Sequence, residues 1–596
     1  MIQQDPVPRG PAFLDFGDFR LDLANRLLYR AGEPVDLTPK AFDTLLVLVR
    51  RAGQVVPKDA LIEEIWPSSY VSEATLSQNI YILRRLLDPE DTRRWIRTLP
   101  RRGYRFEGEV VAVDGDPAAP AGLPEGASAA SVGIADIRSL AVLPLRPLRQ
   151  DEEGVFLGLG IADAVITSLS NLRQLSVRAT SAILRYADGV EGGGGDVAAI
   201  GRDLGVEGVL EGTVQRSGSR LRVTLQLISV ASGVPCWAES FRGDYDDLFV
   251  AQDAVAREVV RRLRLTLTQG EASSFARPPT ESLEAYRTYV RGRYSWNRRS
   301  AADLRRAIEL FRQAVSEDPT YARAYSGLAD ALILLPFYGS ARPTDAFRQA
   351  REAARRALEL DDRLAEARTS LAYTDFIYSR DWPAAESGFL RSLEQDPSYP
   401  TACHWYAFML TALGRHGEAI EMAGRAHHLD PLSLVISTDL ALAYYFARRF
   451  EEAQAHLAGV VEVAPDFGYA HFALALCFSQ MGRHDDAVEA GRRAVEILGD
   501  SMAARAALGF SLARGGQVVE ARSLLGGGDG ALIGGSLRAL VLTGLGDSES
   551  AFDELDLAIE DRSRFAVLLG VWPAFDPLRG DPRFPDLLRR LSLSGT

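Results

Sequence analysis

Lysine and cysteine are scarce in this chain of 596 residues. Only Lys40 and Lys58 are lysines, so nearly every positive charge is an arginine. The three cysteines, Cys236, Cys403 and Cys477, are odd in number and far apart in the sequence. Such a set does not make the disulfide framework of a small secreted domain, and it is typical of a reducing compartment.

A long apolar run and a signal peptide are also lacking. We find no apolar stretch near the roughly 18 residues that a membrane-spanning helix needs, and no charged-then-apolar segment at the amino terminus. With 47% hydrophobic residues and a mean hydropathy of −0.05, the composition is that of an ordinary globular protein. We therefore expect a cytoplasmic protein with no membrane partner.

The charge is distributed unevenly along the chain. The net charge of −13 by itself argues against a nucleic-acid partner. Between Arg84 and Arg105, however, eight arginines stand against three acidic residues, which gives a local net charge of +5. Because DNA affinity depends on a local basic patch, this segment is a candidate DNA contact. The length predicts about three to five domains.

Residues 13–108 have the pattern of a winged helix. Short alternating apolar stretches over 13–37 predict a small antiparallel sheet, and a helix with proline at its first position starts after Thr38. A second helix follows, and a third begins after the N-cap Ser72. The third helix leads into RTLPRRGYRF (97–106), a β-hairpin rich in arginine. A helix in the major groove beside a cationic hairpin is how winged helices bind DNA.

The third helix has one apolar face and one polar face. The apolar positions recur at helical spacing and predict a buried stripe made of Leu76, Ile80, Leu83 and Leu87. On the opposite face, Gln78 suits an adenine edge, Ser77 suits several bases, and Arg85 suits phosphate or guanine. The polar face is therefore the candidate for recognising base pairs.

Twelve residues make up the candidate DNA-binding set. They lie on the third helix and the hairpin, and they are Ser72, Thr75, Ser77, Gln78, Tyr81, Arg84, Arg85, Arg97, Thr98, Arg101, Arg102 and Tyr104. Arg101 and Arg102 are expected at the hairpin tip, where Gly103 permits a tight turn, and Tyr104 and Phe106 are expected to anchor the hairpin to the core. The alternative is a solvated arginine face without DNA contacts. The coincidence of charge, helix face and hairpin in the expected order argues against it.

These segments resemble the OmpR/PhoB-type winged-helix family, through FGDFRLD, VSEATLSQNIYILRRLL and IRTLPRRGYRF. The resemblance implies binding to double-stranded DNA, often as a homodimer on tandem half-sites. It also implies a loop that can touch RNA polymerase, here Trp66, Pro67, Ser68, Ser69 and Tyr70. Response regulators of this family carry a phosphorylatable receiver domain before the winged helix, whereas only about a dozen residues precede it here. We therefore expect the signal to enter from the carboxyl-terminal side.

Residues 111–136 and 137–270 are predicted to be a linker and an α/β domain. The linker is rich in Pro, Ala and Gly. The α/β segment alternates strand and helix patterns, which indicates a mixed sheet, and it resembles a TolB-amino-terminal-like domain. Its GLGIADA motif (158–164) lacks the third glycine of a dinucleotide loop and the Lys-Ser/Thr of a P-loop, so we interpret its glycines as packing or turn residues. No catalytic residue, cofactor or metal is predicted.

The chain repeats itself every 34 residues between about 282 and 565. Pro397, Pro431 and Pro465 hold equivalent places, Gly499 holds the next, and an alanine stands twelve positions before each. This period resembles that of tetratricopeptide repeats and predicts about eight two-helix units, one of them enlarged over 322–362, with a capping segment over 566–596. The resemblance implies a concave groove that takes a protein or peptide ligand. All seven histidines lie here, but none has the paired spacing of a metal site.

The predicted fold is multidomain, with a winged helix-turn-helix (α+β) over 13–110, an α/β middle domain and an all-α tetratricopeptide solenoid. The leading hypothesis is a sequence-specific DNA-binding transcriptional regulator, similar to a soluble relative of the HilA and CadC type, whose α/β and repeat domains sense a protein or small-molecule signal. The alternative is a protein-interaction scaffold that uses the winged helix only for localisation on DNA. A cyclase-related enzyme has the least support, since no nucleophile, metal pair or phosphate loop accompanies it, and we predict that the protein is not an enzyme.

Overall fold

In the computed structural model the chain divides into two compact units, residues 1–130 and 131–596. The structure describes residues 13–23, 27–30, 33–35, 39–65, 76, 80, 83–84, 87, 95–99, 103–108, 110–113, 137–148, 152–170, 172, 174–183, 186, 197–244, 248–263, 265, 280–338, 341–499, 501–525 and 535–593.

The first unit begins with the antiparallel sheet that the sequence predicts. Its strands are β1 (Phe13–Phe16), β2 (Phe19–Asp22), β3 (Leu27–Arg30) and β4 (Glu33–Val35), and they pair in sequence order. A later strand, β8 (Val111–Val113), pairs antiparallel with β1 and completes five strands. The chain therefore returns to its first strand after the helices and the hairpin.

Among its described residues the first unit also contains two helices of more than one turn and a three-stranded sheet. The helices are α1 (Pro39–Arg50) and α2 (Lys58–Ile65), and the strands are β5 (Val55–Val56), β6 (Ile96–Leu99) and β7 (Gly103–Phe106). Four aromatic rings join both sheets in one core, with centroids 5.1 to 6.0 Å apart, and they belong to Phe16, Phe19, Trp95 and Phe106. Edge-to-face and offset stacking of such rings stabilises the core beyond the burial of their area.

The second unit begins with a mixed sheet, as predicted. Its strands are β9 (Ser139–Val142), β10 (Arg146–Pro147), β11 (Ser176–Val177), β12 (Gly208–Ser217), β13 (Arg220–Ser229) and β14 (Pro235–Asp244). Strands β11, β9 and β12 are parallel, and β12, β13 and β14 are antiparallel. The helices that accompany them are α3 (Glu152–Ser170), α4 (Thr180–Ile183), α5 (Val197–Asp203) and α6 (Leu248–Arg262). The resemblance of this part to a TolB-type domain stays a prediction.

Helix α3 corrects one expectation. Its stretch Glu153–Ser170 is 18 residues long with a mean hydropathy of 1.4, so by length and composition it could cross a membrane, and the expectation that no such run exists was wrong. The helix packs on the sheet, and 56% of the stretch is buried inside the fold, as in the core helix of an α/β layer. Gly158 lets the helix approach the backbone just before β10, because a Cβ there would lie 1.9 Å from the carbonyl oxygen of Leu145. This contact confirms the packing role predicted for that glycine.

Within the described part of the second unit, eight helix pairs follow the sheet. Their bounds are α7 (Leu283–Asn297) with α8 (Ala301–Glu317), α9 (Ala322–Leu334) with α10 (Pro343–Leu360), α11 (Ala365–Thr374) with α12 (Trp382–Gln395), α13 (Pro400–Ala412) with α14 (His416–Leu429), α15 (Leu434–Phe446) with α16 (Phe450–Val463), α17 (Gly468–Gln480) with α18 (His484–Leu498), α19 (Met502–Arg514) with α20 (Val518–Ser523), and α21 (Gly535–Gly544) with α22 (Ser548–Glu560). A 3₁₀ turn, Leu335–Tyr338, enlarges the second pair, as predicted. A π turn, Asp375–Ser379, ends the first helix of the third.

The positions that define the period have the expected structural roles. The four repeated alanines lie in the second helix of their units and are fully buried, and they are Ala385, Ala419, Ala453 and Ala487. The turn between the two helices is left-handed at Gly414, Arg448 and Gly482, with φ of 73°, 62° and 73°. Glycine adopts this conformation freely, whereas an arginine there costs about 1 kcal/mol.

The carboxyl-terminal segment folds back along the repeats. It contains two 3₁₀ turns, Ala566–Leu568 and Pro573–Leu578, and helix α23 (Phe584–Arg590). Arg448 donates two hydrogen bonds of 2.7 and 2.8 Å to Asp576, although the two residues lie 128 positions apart. One cluster of buried side chains runs from the sheet through the repeats into this segment, so the second unit has a continuous core.

Candidate nucleic-acid interface

The apolar stripe of the third predicted helix is buried. Leu76, Ile80, Leu83 and Leu87 are helical, and each is at most 3% exposed within the core of the first unit. The stripe prediction is therefore confirmed. These four inward-facing side chains at helical spacing are what a helix with one buried face requires.

Strands β6 and β7 form the predicted hairpin. Their antiparallel register pairs Ile96 with Phe106 and Leu99 with Gly103. Gly103 has φ of 129°, and a Cβ there would lie 2.0 Å from the carbonyl oxygen of Val56 in β5. Glycine is thus required both by its backbone conformation and by the close approach of the two strands.

Arg84 joins the third helix to the hairpin. Its guanidinium donates two hydrogen bonds to the carbonyl oxygen of Ile96, at 2.9 and 3.1 Å, and one of 2.7 Å to the hydroxyl of Thr98. Sequence reasoning placed Arg84 on the DNA-facing side and missed this contact. The available signal was its spacing, since Arg84 follows the buried Ile80 by four positions and therefore lies beside the stripe.

Two arginines lie opposite each other on the hairpin. Arg97 and Arg105 are cross-strand partners, and like charges in that position repel. Glu107 offsets the repulsion, because it accepts hydrogen bonds of 2.6 and 2.9 Å from Arg105 and lies 3.9 Å from Arg97. The side chain of Arg97 nevertheless stays 63% exposed. Arg97 therefore presents an exposed positive charge on the hairpin, and its contact with DNA stays a prediction.

The remaining candidates divide into three groups. Thr98 is exposed and accepts the hydrogen bond from Arg84. Tyr104 is buried in the core of the unit, as an anchor of the hairpin should be, and its contact with DNA stays a prediction. The candidates that lie outside the described residues are Ser72, Thr75, Ser77, Gln78, Tyr81, Arg85, Arg101 and Arg102, and the loop Trp66, Pro67, Ser68, Ser69 and Tyr70.

Two protein-family models match this chain. The model named "Transcriptional regulatory protein, C terminal" matches residues 32–106, which include the stripe, Arg84 and the hairpin. A tetratricopeptide-repeat model matches residues 438–501, which cover most of the fifth helix pair and all of the sixth. The chain is a transcriptional regulator with an OmpR/PhoB-type DNA-binding domain and tetratricopeptide repeats.

Several known proteins are similar to the regulator or to a part of it. The transcriptional regulator HilA of Salmonella typhimurium is 25% identical over 446 residues, which are 74% of this chain and 75% of that protein. The DNA-binding domain of Escherichia coli CadC is a solved structure with 27% identity that covers 17% of this chain and 99% of that one, at a TM-score of 0.16. The Rhizobium meliloti protein named Putative adenylate cyclase 3 is 33% identical over 191 residues, 32% of each chain. The similarity to the cyclase-named protein therefore extends over about a third of either chain.

The described residues of the regulator contain no cluster of three or more His, Cys, Asp and Glu side chains that could hold a metal ion.

Proposed function

We propose that the regulator recognises specific DNA sequences with the third helix and the arginine hairpin of its first unit, and that its second unit senses a protein or small-molecule signal. The observation that carries the DNA part is the contact between Arg84 and the hairpin. It fixes the helix relative to the hairpin strands, so that base recognition and backbone contact act as one surface.

The surface divides its roles by chemistry. Gln78 and Ser77 recognise base edges, and Arg97, Arg101 and Arg102 contact phosphates. The resemblance to OmpR/PhoB-type domains supports two further assignments, a polymerase contact at residues 66–70 and a homodimer on tandem half-sites. The protein acts in the cytoplasm and is not an enzyme.

The test is selection of binding sites from random DNA by the full chain, followed by affinity measurements over a range of salt. The double variant R101A/R102A should weaken binding to every sequence and lower the slope of log K against log salt by about 2. The variant Q78A should instead relax the preference at one or two base pairs while the slope stays unchanged.

Selection of no common site would contradict sequence recognition and would favour the scaffold alternative. For the sensing part, genome-wide occupancy should change between growth conditions in the full chain. Occupancy that stays constant in all conditions, with normal binding to the selected site, would overturn sensing alone.

A further inference from the structure

The repeat array contains a site occupied by the protein's own arginine. Arg564 lies in the turn after the last helix pair, and its guanidinium lies 4.2 Å from the ring centroid of Phe337 and 4.7 Å from that of Phe408. The ring of Phe565 lies 5.3 Å away. A guanidinium between two aromatic faces is bound by the electrostatic attraction of both rings.

A carboxylate complements this aromatic pair. Asp439 lines the same cavity and accepts a hydrogen bond of 2.7 Å from the hydroxyl of Tyr469 and another from His404. Burial by itself would raise the pKa of Asp439. The hydrogen bond from His404 and the charges of His404 and Arg564 outweigh burial, so the pKa of Asp439 lies below its usual value. Phe337, Phe408 and Asp439 together form what we call the arginine box.

The box is assembled from distant parts of the chain. Phe337 belongs to the 3₁₀ turn that enlarges the second helix pair, Phe408 lies on α13, and Asp439 lies on α15. The repeat period therefore does not produce it. The insertion in the second pair supplies one of its two aromatic walls.

The cavity beside the box has room for more than one side chain. It has a volume of about 1620 Å³ and is lined by the box together with aromatic residues of several first helices, including Tyr373 and Trp405. This volume exceeds the several hundred Å³ typical of small-molecule sites. Its size and its position along consecutive repeats fit an extended peptide.

Arg564 can leave the box without unfolding the segment that follows it. Its residue is only half-buried, whereas Trp572 and Phe575 further along the segment are almost completely buried. The segment is also held by Arg448 on Asp576 and by the indole nitrogen of Trp382, which donates a 3.1 Å hydrogen bond to the carbonyl oxygen of Leu591. These contacts hold the segment independently of Arg564.

We propose that the arginine box binds an arginine of a partner peptide, and that Arg564 occupies the box in the partner's absence. The partner presents an arginine on an extended segment, and its guanidinium replaces that of Arg564 between Phe337 and Phe408. This inference rests on the sensing role proposed above and identifies the chemistry of the signal.

The test uses the full chain and a ten-residue peptide that copies residues 560–569. A second peptide carries citrulline, a neutral analogue of arginine, at the position of Arg564. The variant R564A leaves the box vacant, and it should bind the arginine peptide at least tenfold more tightly than the wild type does. R564A should bind the citrulline peptide at least tenfold more weakly than it binds the arginine peptide. The matched control is R562A, since Arg562 lies two residues earlier against Tyr378, and it should behave like the wild type.

Equal affinity of the wild type and R564A for the peptide, or equal affinity of R564A for both peptides, would overturn the proposal. If R564A does not fold, R564K replaces it, because lysine keeps the charge but lacks the planar group that stacks between rings, and it should bind more tightly than the wild type. Binding to the selected DNA site is measured in the same samples with and without peptide. Peptide binding that leaves DNA binding and transcription unchanged would contradict the sensing role, but it would still support the arginine box as a peptide-binding site.

Discussion

At the scale of single residues, Arg84 allows a structural role to be separated from a DNA contact. We predict that R84A lowers the free energy of unfolding of the first unit by about 2 kcal/mol, because it removes three hydrogen bonds from a charged donor. DNA affinity should fall, while the slope of log K against log salt stays the same. The control R97A, at an exposed arginine, should lower that slope by about 1 with little change in stability. A lower slope in R84A would instead indicate that Arg84 contacts phosphate.

Gly103 and Gly53 provide a second comparison at this scale. Both have a positive φ, but a Cβ at Gly103 meets the backbone of β5, whereas nothing lies within 4 Å of one at Gly53. We predict that G53A costs about 1 kcal/mol, the strain of a left-handed alanine, and that G103A costs at least about 2 kcal/mol more. Chemical denaturation of both variants measures the difference. Equal losses would show that β5 and β7 do not approach closely.

At the scale of elements, helix α9 carries a buried carboxylate whose ionisation affects stability. Asp330 accepts hydrogen bonds from Arg293, at 3.2 Å, and from Ser370, and it also faces the charges of Glu366 and Arg299. Burial raises its pKa from 3.8 to about 6 in spite of the two arginines.

The pH dependence of stability follows from this raised pKa. Between about pH 4 and 6 the folded state keeps a proton on Asp330 that the unfolded state loses, so this residue stabilises the fold below pH 4 and its contribution is lost as the pH rises to 6. We predict that the stability of D330N falls less over this range than that of the wild type, because asparagine has no proton to lose. Each tenfold difference in proton affinity between the folded and unfolded states corresponds to about 1.4 kcal/mol. Denaturation at several pH values measures this, with the exposed Asp553→Asn as control. Parallel curves for D330N and the wild type would contradict it.

Periodicity predicted the elements far better than their additional contacts. The 34-residue spacing identified Ala385 and Ala419 as buried positions, and the turn at Arg448 was placed correctly, because these features depend on local geometry that repeats. The hydrogen bonds from Arg448 to Asp576 and from Arg84 to Ile96 were not predicted, since they depend on how separate elements meet in space. The helix at 153–170 follows the predicted strand and helix pattern, but its apolar character over 18 residues was not predicted.

At the scale of the whole molecule, the continuous core of the second unit predicts how it unfolds. The hydroxyl of Tyr286 in the first repeat donates a 2.5 Å hydrogen bond to the carbonyl oxygen of Gly160 in α3 and accepts one of 2.9 Å from Gln252 in α6. We predict two calorimetric transitions for the full chain, one for each unit. Y286F should lower the free energy of unfolding of the second, larger unit alone, by about 1 to 2 kcal/mol, because it leaves buried polar groups unpaired. G103A should lower that of the first unit alone. A separate third transition for the repeats would show that the sheet and the repeats do not share one core.

Contacts between distant residues also determine how the repeat array responds to tension. In an open repeat array each unit contacts only its neighbours, and the array can therefore extend under a small force. Here Ser181 of α4 donates a 2.7 Å hydrogen bond to Asp430 at the end of the fourth pair, 249 positions away. Trp382 in the third pair donates one of 3.1 Å to the carbonyl oxygen of Leu591, 209 positions away. These hydrogen bonds connect parts of the second unit that stacking between neighbouring repeats leaves independent. Any stretching of the array must first break them, so it is stiff at small extension and yields abruptly beyond it.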